Sequence, residues 1–496
     1  MATIRGLSKP RVAEKSIGIL ARGGGVVWIV ALGYWLPLAS PRADRPWPVT
    51  AMILAFFVVV TIIAVYMVRH YLFTINRLYA RQRQPYLDVD VAEWPPVTVL
   101  IPAHNEESVI AEILEALLLV DYPHDRLTLM PIDDRSKDKT GEIIRAFADE
   151  NPGLVVPYER RKGMPGKAAA LNDAMGRVTT EVVLVFDADY IPGRGLIKQL
   201  VAPFFDPEVG AVMGRVVPHN VGANLLTRLL DLERSAGYQV DQQARMNLRL
   251  VPQYGGTVGG VRRSALASLG GWRDHSLAED TDATYRLLLG GYKTVYQNRS
   301  ECYEQAPETW PSRIRQIMRW ARGHNQATAR YLAKLLFNRR TRMGERADGA
   351  LLLGVFLMSP ILLAGWSLGV VLWYLGELHS SLIIILAVTS YNTVGNFAII
   401  FEIAAAAHLD GSRNRIRLMP FLILNFLVSL FSVSRASIVQ LAFRTPGERV
   451  LWHKTERNHN GNGNGRNGIR NGNGNGNGNG VRNGRKNGAS NGGARP

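Results

Sequence analysis

Two long uncharged runs near the N-terminus place the strongest constraint on this chain. From Gly24 to Ser40 the sequence is rich in Val, Leu, Trp and Tyr, and a second such run extends from Val49 to Val68. Each approaches the ~20 residues needed to cross a bilayer core. Leu38-Ala39-Ser40 resembles a signal-peptide cleavage site, but a second apolar run follows at once and favours two spans. Arg5, Lys9, Arg11, Lys15 and Arg22 precede the first run, and Arg69, Arg77, Arg81 and Arg83 follow the second. The connection from Pro41 to Pro48 holds two arginines and an aspartate. The positive-inside rule then puts residues 1–23 and everything after residue 70 in the cytoplasm, with residues 24–72 as two transmembrane helices. A lone cysteine, Cys302, fits that reducing compartment and excludes a disulfide scaffold.

Composition separates the remaining classes. Of 496 residues, 47 % are apolar and 20 % charged, which excludes a wholly disordered chain. The net charge of +17 admits nucleic-acid binding, cytoplasmic membrane flanks or a basic tail. From His453 onward there are eight Lys and Arg against one Glu, so the tail carries +7 of it. Residues 458–496 are Asn-Gly repeats with scattered Arg and Lys, too poor in apolar groups to offset their ordering entropy, and are expected to be disordered. The other +10 gathers at membrane edges and on one basic stretch. Nothing in the chain suggests a module that reads bases, so no specific nucleic-acid partner is expected.

Residues 95–310 have a different character. Val97 to Ile101, Leu127 to Ile132, Val182 to Phe186 and Ala211 to Val217 read as buried strands, with helices over Glu107 to Leu119 and Thr140 to Asp149 between them. That alternation predicts a mostly parallel α/β sheet covered on both faces. Residues 311–345 read as amphipathic helix at a membrane surface, with arginines interleaved among Ile314, Ile317, Met318 and Trp320. Two to three further transmembrane or re-entrant helices are expected over residues 349–443, in the apolar runs Gly349 to Leu375, Leu382 to His408 and Pro420 to Phe443. Asn392, Asn396 and Glu402 in the second of these would line a glycan channel or bond helix to helix. In the third, Arg444, Arg449, Lys454 and Arg457 just beyond the run argue for a cytoplasmic tail, and hence for a re-entrant or in-plane segment.

The polar clusters fall at strand ends, where open α/β sheets bind ligands. The first strand leads into Ala103-His104-Asn105-Glu106 and the second into Asp133-Asp134, beyond what a helix cap requires. Lys167 follows Gly163-Met164-Pro165-Gly166 at a helix start, where it would meet a phosphate or stand as a solvated charge. The strand Val182 to Phe186 stops abruptly at Asp187-Ala188-Asp189, two carboxylates on one side that suit a hard cation such as Mg2+ or Mn2+. Glu279, Asp280 and Asp282 open a helix. Helix-dipole capping explains part of that cluster. Farther on, Gln316 and Trp320 share one helix face, as do Arg315 and Arg319. An indole suits stacking on a sugar and a guanidinium suits a pyrophosphate; an interfacial membrane helix is the competing reading.

In order and spacing, Asp133, Asp187-Ala188-Asp189, Ala278-Glu279-Asp280 and Gln316-Ile317-Met318-Arg319-Trp320 resemble the D, DxD, (T)ED, QxxRW series of family-2 inverting glycosyltransferases. Within that family the resemblance is to membrane-embedded polysaccharide synthases of the cellulose, chitin and hyaluronan type. It departs in having alanine before Glu279 and isoleucine after Gln316. The resemblance implies a GT-A fold, an α/β Rossmann-like mixed, mostly parallel sheet flanked by transmembrane helices, in a multi-pass cell-membrane enzyme with a cytoplasmic catalytic domain.

Carried over residue by residue, Ala103, Glu106, Asp133 and Asp134 would hold the nucleotide, with Lys167 and Asp187 at its ribose or phosphates. Asp189 would bind Mg2+ or Mn2+. Asp280 would be the base, with Glu279 beside it, Arg319 would stabilise departing UDP, and Gln316 and Trp320 would meet the acceptor. The donor would be a nucleotide-sugar, UDP-glucose or UDP-N-acetylglucosamine, and the acceptor a growing glycan or a lipid. A processive synthase that builds a β-linked polysaccharide, with export through its membrane helices as an added role, is the leading expectation. The alternatives are a non-processive glycolipid synthase and, more remotely, a non-enzymatic basic membrane scaffold.

Overall fold

A computed structural model describes residues 45–443, apart from positions 81, 85, 87–92 and 378–396. The expected span from Gly24 to Ser40, the residues Asn392 and Asn396 and the Asn-Gly tail lie outside the described residues. The second N-terminal run forms helix α1 (Trp47–Tyr79), which continues well past the apolar stretch into its arginine-bearing flank.

Four strands follow the expected apolar runs, β1 (Val97–Ala103), β2 (Leu127–Asp134), β4 (Val182–Val185) and β6 (Val209–Pro218), and four more, β3 (Tyr158–Arg160), β5 (Ile191–Pro192), β7 (Gly259–Arg262) and β8 (Lys293–Glu304), are not expected from the sequence. They form one eight-stranded sheet in the order β3-β2-β1-β4-β7-β6-β8-β5. β3, β2, β1 and β4 run parallel, as do β6 and β8, while β7 is antiparallel to both β4 and β6. The two-residue β5 is antiparallel to β8. Val97, Val99, Ile101, Leu184 and Val212 point into one apolar layer and Leu100, Val183, Val185 and Val261 into the other, so both faces of the sheet are covered. Helices α2 (Ile110–Leu118) and α3 (Thr140–Glu150) join β1 to β2 and β2 to β3, and α4 (Lys167–Met175) precedes β4. β5 and β6 are bridged by α5 (Leu196–Val201).

Three long insertions surround this sheet. The first, between β6 and β7, contains α6 (Leu225–Ser235), a π-helical stretch (Ala236–Gln242) and α7 (Gln243–Asn247). π-Helical turns are uncommon and concentrate at functional sites. The second, between β7 and β8, holds α8 (Arg263–Ser268) and α9 (Glu279–Leu289), and the third begins after β8 with α10 (Trp310–Leu336). Helices α11 (Met343–Leu353), α12 (Met358–Tyr374), α13 (Phe397–Leu409) and α14 (Leu422–Phe443) complete the described chain.

By length and composition, three described helical segments suffice to cross a membrane: Trp47–Tyr79, Val355–Tyr374 and Asn414–Ala442. The first half of α1 packs on the second half of α12 through Ile53, Phe56, Leu368 and Leu372, so these two helices are antiparallel. Arg45 and Glu377 close the far end of this pair at 2.7 Å. α14 joins them through Phe426 and Leu430, and it also lies along α10, with Val433 and Ala436 against Ile317 and Ala321.

Polar groups stitch these helices to the sheet domain. Arg69 of α1 bonds Asp348 at 2.8 Å and Asp241 at 2.9 Å, and Arg245 bonds the same two carboxylates at 3.1 and 2.9 Å. Glu402, the acidic residue of an apolar segment, is buried against His70 of α1 at 2.5 Å. Of the two roles open to it from sequence, it makes the helix-to-helix bond.

Candidate functional site

The sheet register sets one wall of the site. Ala103 pairs with Asp133 at the carboxyl ends of β1 and β2. Ser136 N–H donates to Asp133 Oδ1 at 3.1 Å, and Gly141 leaves the other oxygen its room, since a Cβ there would lie 2.7 Å from Oδ2. Asp134 is buried and bound by Arg160 at 2.8 Å and Arg135 at 2.9 Å, so its carboxylate fastens the loop beside β3. Glu106 is buried, and its N–H donates to the Thr140 hydroxyl at 2.8 Å. The two strand-end loops are therefore tied to one another.

A charged cluster forms the centre. Lys167 opens α4 and reaches Asp187 at 2.5 Å. Burial opposes its charge, yet Asp187, Glu279 and Asp280 together hold its pKa above the ordinary lysine value. Glu279 and Asp280 are likewise raised, burial being the main cause. Lys167 and Arg319 pull in the opposite direction on both, and the Thr281 N–H, 2.6 Å from Asp280 Oδ1, opposes the shift of Asp280. Both acids keep some solvent-facing surface, but they stand in a cleft crowded by protein. Four groups widely separated in sequence, Lys167, Asp187, the Glu279-Asp280 pair and Arg319, thus share one electrostatic environment.

Close backbone packing builds this cluster. Gly256, at φ +72°, passes over the acids: a Cβ there would sit 3.1 Å from the Asp280 Cβ. The neighbouring Thr257 hydroxyl accepts the Asp187 N–H at 2.9 Å, joining this loop to the end of β4. Gly323 of α10 meets Ala278 so closely that a Cβ would lie 2.6 Å from the alanine Cβ. This contact explains the glycine at 323, because any side chain there would push α10 away from Ala278. His324, next on α10, is buried beside Thr281, at 3.2 Å from its hydroxyl, and burial pushes its imidazole down to about 4. It is therefore a neutral packing and hydrogen-bonding group at neutral pH.

Asp282 differs from its two acidic neighbours. It is fully buried and takes Arg286 at 2.6 Å, Arg330 at 2.9 Å and the Tyr331 hydroxyl at 2.6 Å. It knots α9 to α10. The sequence cluster of three acids thus divides into a half-buried pair and one structural residue.

Gln316 and Trp320 lie on the same face of α10, as their spacing predicts, and Arg313 shares it. Arg313 donates to Gln316 Oε1 at 3.0 Å, and its guanidinium carbon lies 5.5 Å from the centre of the Trp320 indole. Arg234 of α6 lies 5.1 Å from the same ring. Neither arginine was singled out from sequence, although the seven-residue step from Arg313 to Trp320 is a helical signal.

Among the described residues no group of three or more His, Cys, Asp and Glu side chains forms a metal cage. Mg2+ and Mn2+ sites that rely on substrate phosphates need only one or two carboxylates. The hard-oxygen pair Asp187 and Asp189 beside β4 has the donor chemistry for such an ion.

Comparison with known proteins agrees with this architecture. Residues 95–323 match the family model described as glycosyltransferase like family 2. The chain is similar to a probable glycosyltransferase, YdaM, of Bacillus subtilis (strain 168), at 35 % identity over 278 residues, covering 55 % of this chain and 64 % of that protein. It is also similar to a beta-monoglucosyldiacylglycerol synthase of Synechocystis sp., at 31 % identity over 245 residues, covering 49 % and 50 % respectively. The chain thus spans between half and just under two thirds of the length of these curated relatives. Among solved structures, the mannosyltransferase PcManGT from Pyrobaculum calidifontis, in complex with GDP-Man and Mn2+, shares the fold with a TM-score of 0.52 at 22 % identity. That match covers 80 % of this chain and 99 % of that one. Over residues 95–323 the chain is therefore similar to glycosyltransferase family 2, and its mixed, mostly parallel sheet is of the GT-A type.

Proposed function

We propose that the protein is a membrane-bound inverting glycosyltransferase that moves a hexose from a nucleotide-sugar to a lipid acceptor such as diacylglycerol. The observation that carries this reading is the shared field of Lys167, Asp187, Glu279, Asp280 and Arg319, which puts a raised-pKa carboxylate next to cations suited to a departing diphosphate. A carboxylate whose pKa is raised is a stronger proton acceptor than an ordinary one. The similarity to beta-monoglucosyldiacylglycerol synthases supports a lipid acceptor over a growing chain. So does the packing of α10 along α14, which brings the Trp320 end of the site beside a helix apolar enough to enter lipid.

In this account Ala103, Glu106 and Asp133 hold the nucleoside, and Asp134 keeps their loop in place. Lys167 and Asp187 lie at the phosphates. The donor is UDP-glucose or UDP-N-acetylglucosamine. A Mg2+ or Mn2+ ion held by Asp189 with Asp187 would neutralise the diphosphate when bound. Asp280 takes the proton of the acceptor hydroxyl as its oxygen bonds to the anomeric carbon, while the bond to the diphosphate oxygen breaks and Arg319 offsets the charge left there. Attack opposite the leaving group inverts an α-linked donor to a β-glycoside. Glu279 shares the burial and the cations of Asp280, and the charge of Asp280 raises its pKa further.

α14 meets the sheet domain near both of its ends: Asn425 bonds Glu233 and Gln440 bonds the Arg322 carbonyl. This supports an in-plane segment, and the arginines that follow the apolar run of α1 support a cytoplasmic active site. A processive polysaccharide synthase remains the second reading, supported by the Gln316-to-Trp320 element that such enzymes share.

The test is product length. Purified full-length protein in lipid nanodiscs, given diacylglycerol, labelled UDP-glucose or UDP-N-acetylglucosamine and Mg2+ or Mn2+, is expected to yield one sugar per lipid by mass spectrometry. A ladder of lipid-free oligosaccharides would overturn the lipid reading in favour of the polymer.

A further inference from the structure

Two consecutive residues of α6, Glu233 and Arg234, converge on the Trp320 indole by separate routes. Arg234 lies over the ring and is anchored by Glu304 of β8 through Nε to Oε1 at 2.7 Å and Nη2 to Oε2 at 3.4 Å. Glu304 is itself buried and receives the Tyr190 hydroxyl at 2.7 Å, one residue beyond Asp189. Arg313 supplies the second guanidinium and is held by both oxygens of Glu233, at 2.6 and 2.8 Å. Glu233 in turn accepts from Asn425 of α14 at 2.9 Å. A continuous chain of contacts therefore runs from Tyr190, next to Asp189, through Glu304, Arg234, the indole, Arg313 and Glu233 to Asn425 of α14.

Each part of this chain is costly unless it is complete. Arg313, Glu304 and Asn425 are buried, so each requires its partner. An indole has two soft faces and a rotatable χ2, and a single cation would leave its tilt adjustable; two guanidiniums fixed on separate carboxylates do not. Ordinary core packing would have used apolar residues around the ring.

We propose that Arg234 and Arg313 act as positioning residues that clamp the Trp320 indole in its acceptor-receiving orientation, and that Asn425, through Glu233, ties this orientation to α14. The proposal rests on the glycosyltransferase reading above, with Trp320 at the acceptor. Donor chemistry without acceptor does not need the clamp; productive seating of the acceptor does.

The experiment uses the full-length protein in nanodiscs and reads two rates: UDP release without acceptor, and sugar transfer against diacylglycerol concentration. Arg234→Met is expected to raise the acceptor KM about 5-fold to 30-fold, the range spanned by losing a desolvated cation-π contact. UDP release to water should stay within about twofold, since the clamp is absent from donor turnover. Arg234→Lys, which keeps the charge and guards against misfolding of the methionine variant, should recover part of the KM. In a Trp320→Phe background, Arg234→Met should add much less than it does alone, whereas independent effects would multiply. A fall in turnover with an unchanged KM, or full multiplication in the Trp320→Phe background, would overturn the clamp. Absence of UDP release and of transfer by the unmodified chain with either donor would instead overturn the glycosyltransferase reading on which the clamp depends.

Discussion

The two walls of the site are built in opposite ways. The β1–β4 wall consists of loops that leave consecutive parallel strands, and its polar bonds join segments roughly thirty residues apart, such as Asn105 N–H to Ser136 and Glu106 N–H to Thr140. The wall holding Asp280 and Trp320 draws instead on α6, β8, α9, α10 and α14, with partners as far apart as Glu233 and Asn425. Local assembly builds one wall from a single sheet edge, whereas distant assembly makes the other wall depend on how α6, α10 and α14 pack together.

The largest departure from this contrast should come from the knot between α9 and α10. Asp282→Ala leaves Arg286 and Arg330 without their buried carboxylate, a loss of about 3–5 kcal/mol. The variant should unfold at markedly lower temperature in detergent, and a melting temperature equal to that of the parent would contradict the knot. Next in size is Gly323→Ala, whose new methyl group would overlap Ala278; overpacking of this kind costs about 1–3 kcal/mol. Here sugar transfer should fall more than UDP binding, because α10 moves while the β1–β4 loops do not. Equal losses in both assays would show the two walls to be coupled. At the small end, Arg145→Ala on α3 removes a largely exposed pair with Glu159 and should change stability by at most ~1 kcal/mol.

A pH experiment sharpens the same contrast. Asp280 and Glu279 have folded-state pKa values above their unfolded ones, so the folded protein binds more protons than the unfolded chain between those values. Their contribution to stability is thus present below the unfolded pKa and is lost as pH rises through the folded pKa. Asp280→Asn should therefore raise the melting temperature at neutral pH, with the gain shrinking as the pH falls toward the ordinary aspartate range. A gain that grows on acidification would reverse the assigned sign.

The ease with which each wall is read from sequence follows from its construction. β4 declares itself because an uncharged apolar run ends in Asp187-Ala188-Asp189, and strand period and burial suffice to place the acids. The strands ending at Ala103 and Asp134 are legible for the same reason. The α6 and π-helical segment carries no such signature: Asp231, Glu233 and Arg234 look like an ordinary charged surface, and their partners, Arg415, Arg313 and Glu304, lie tens to hundreds of residues away. Asp282 is indistinguishable by type and spacing from Glu279 and Asp280, and only the positions of Arg330 and Tyr331 on another helix reveal its structural role. The antiparallel β7 is also hidden, since its glycines lack the branched side chains that mark a strand, yet they admit Leu184 and Tyr254 at close range.

The central claim is that Asp280 removes the acceptor proton in a site whose nucleotide wall stands independently of it. The most direct measurement pairs UDP affinity with the rate of sugar transfer for Asp280→Asn in the full-length protein. The account predicts a loss of about 100-fold to 10,000-fold in transfer with UDP affinity changed by less than about threefold. Transfer at the parental rate would contradict it.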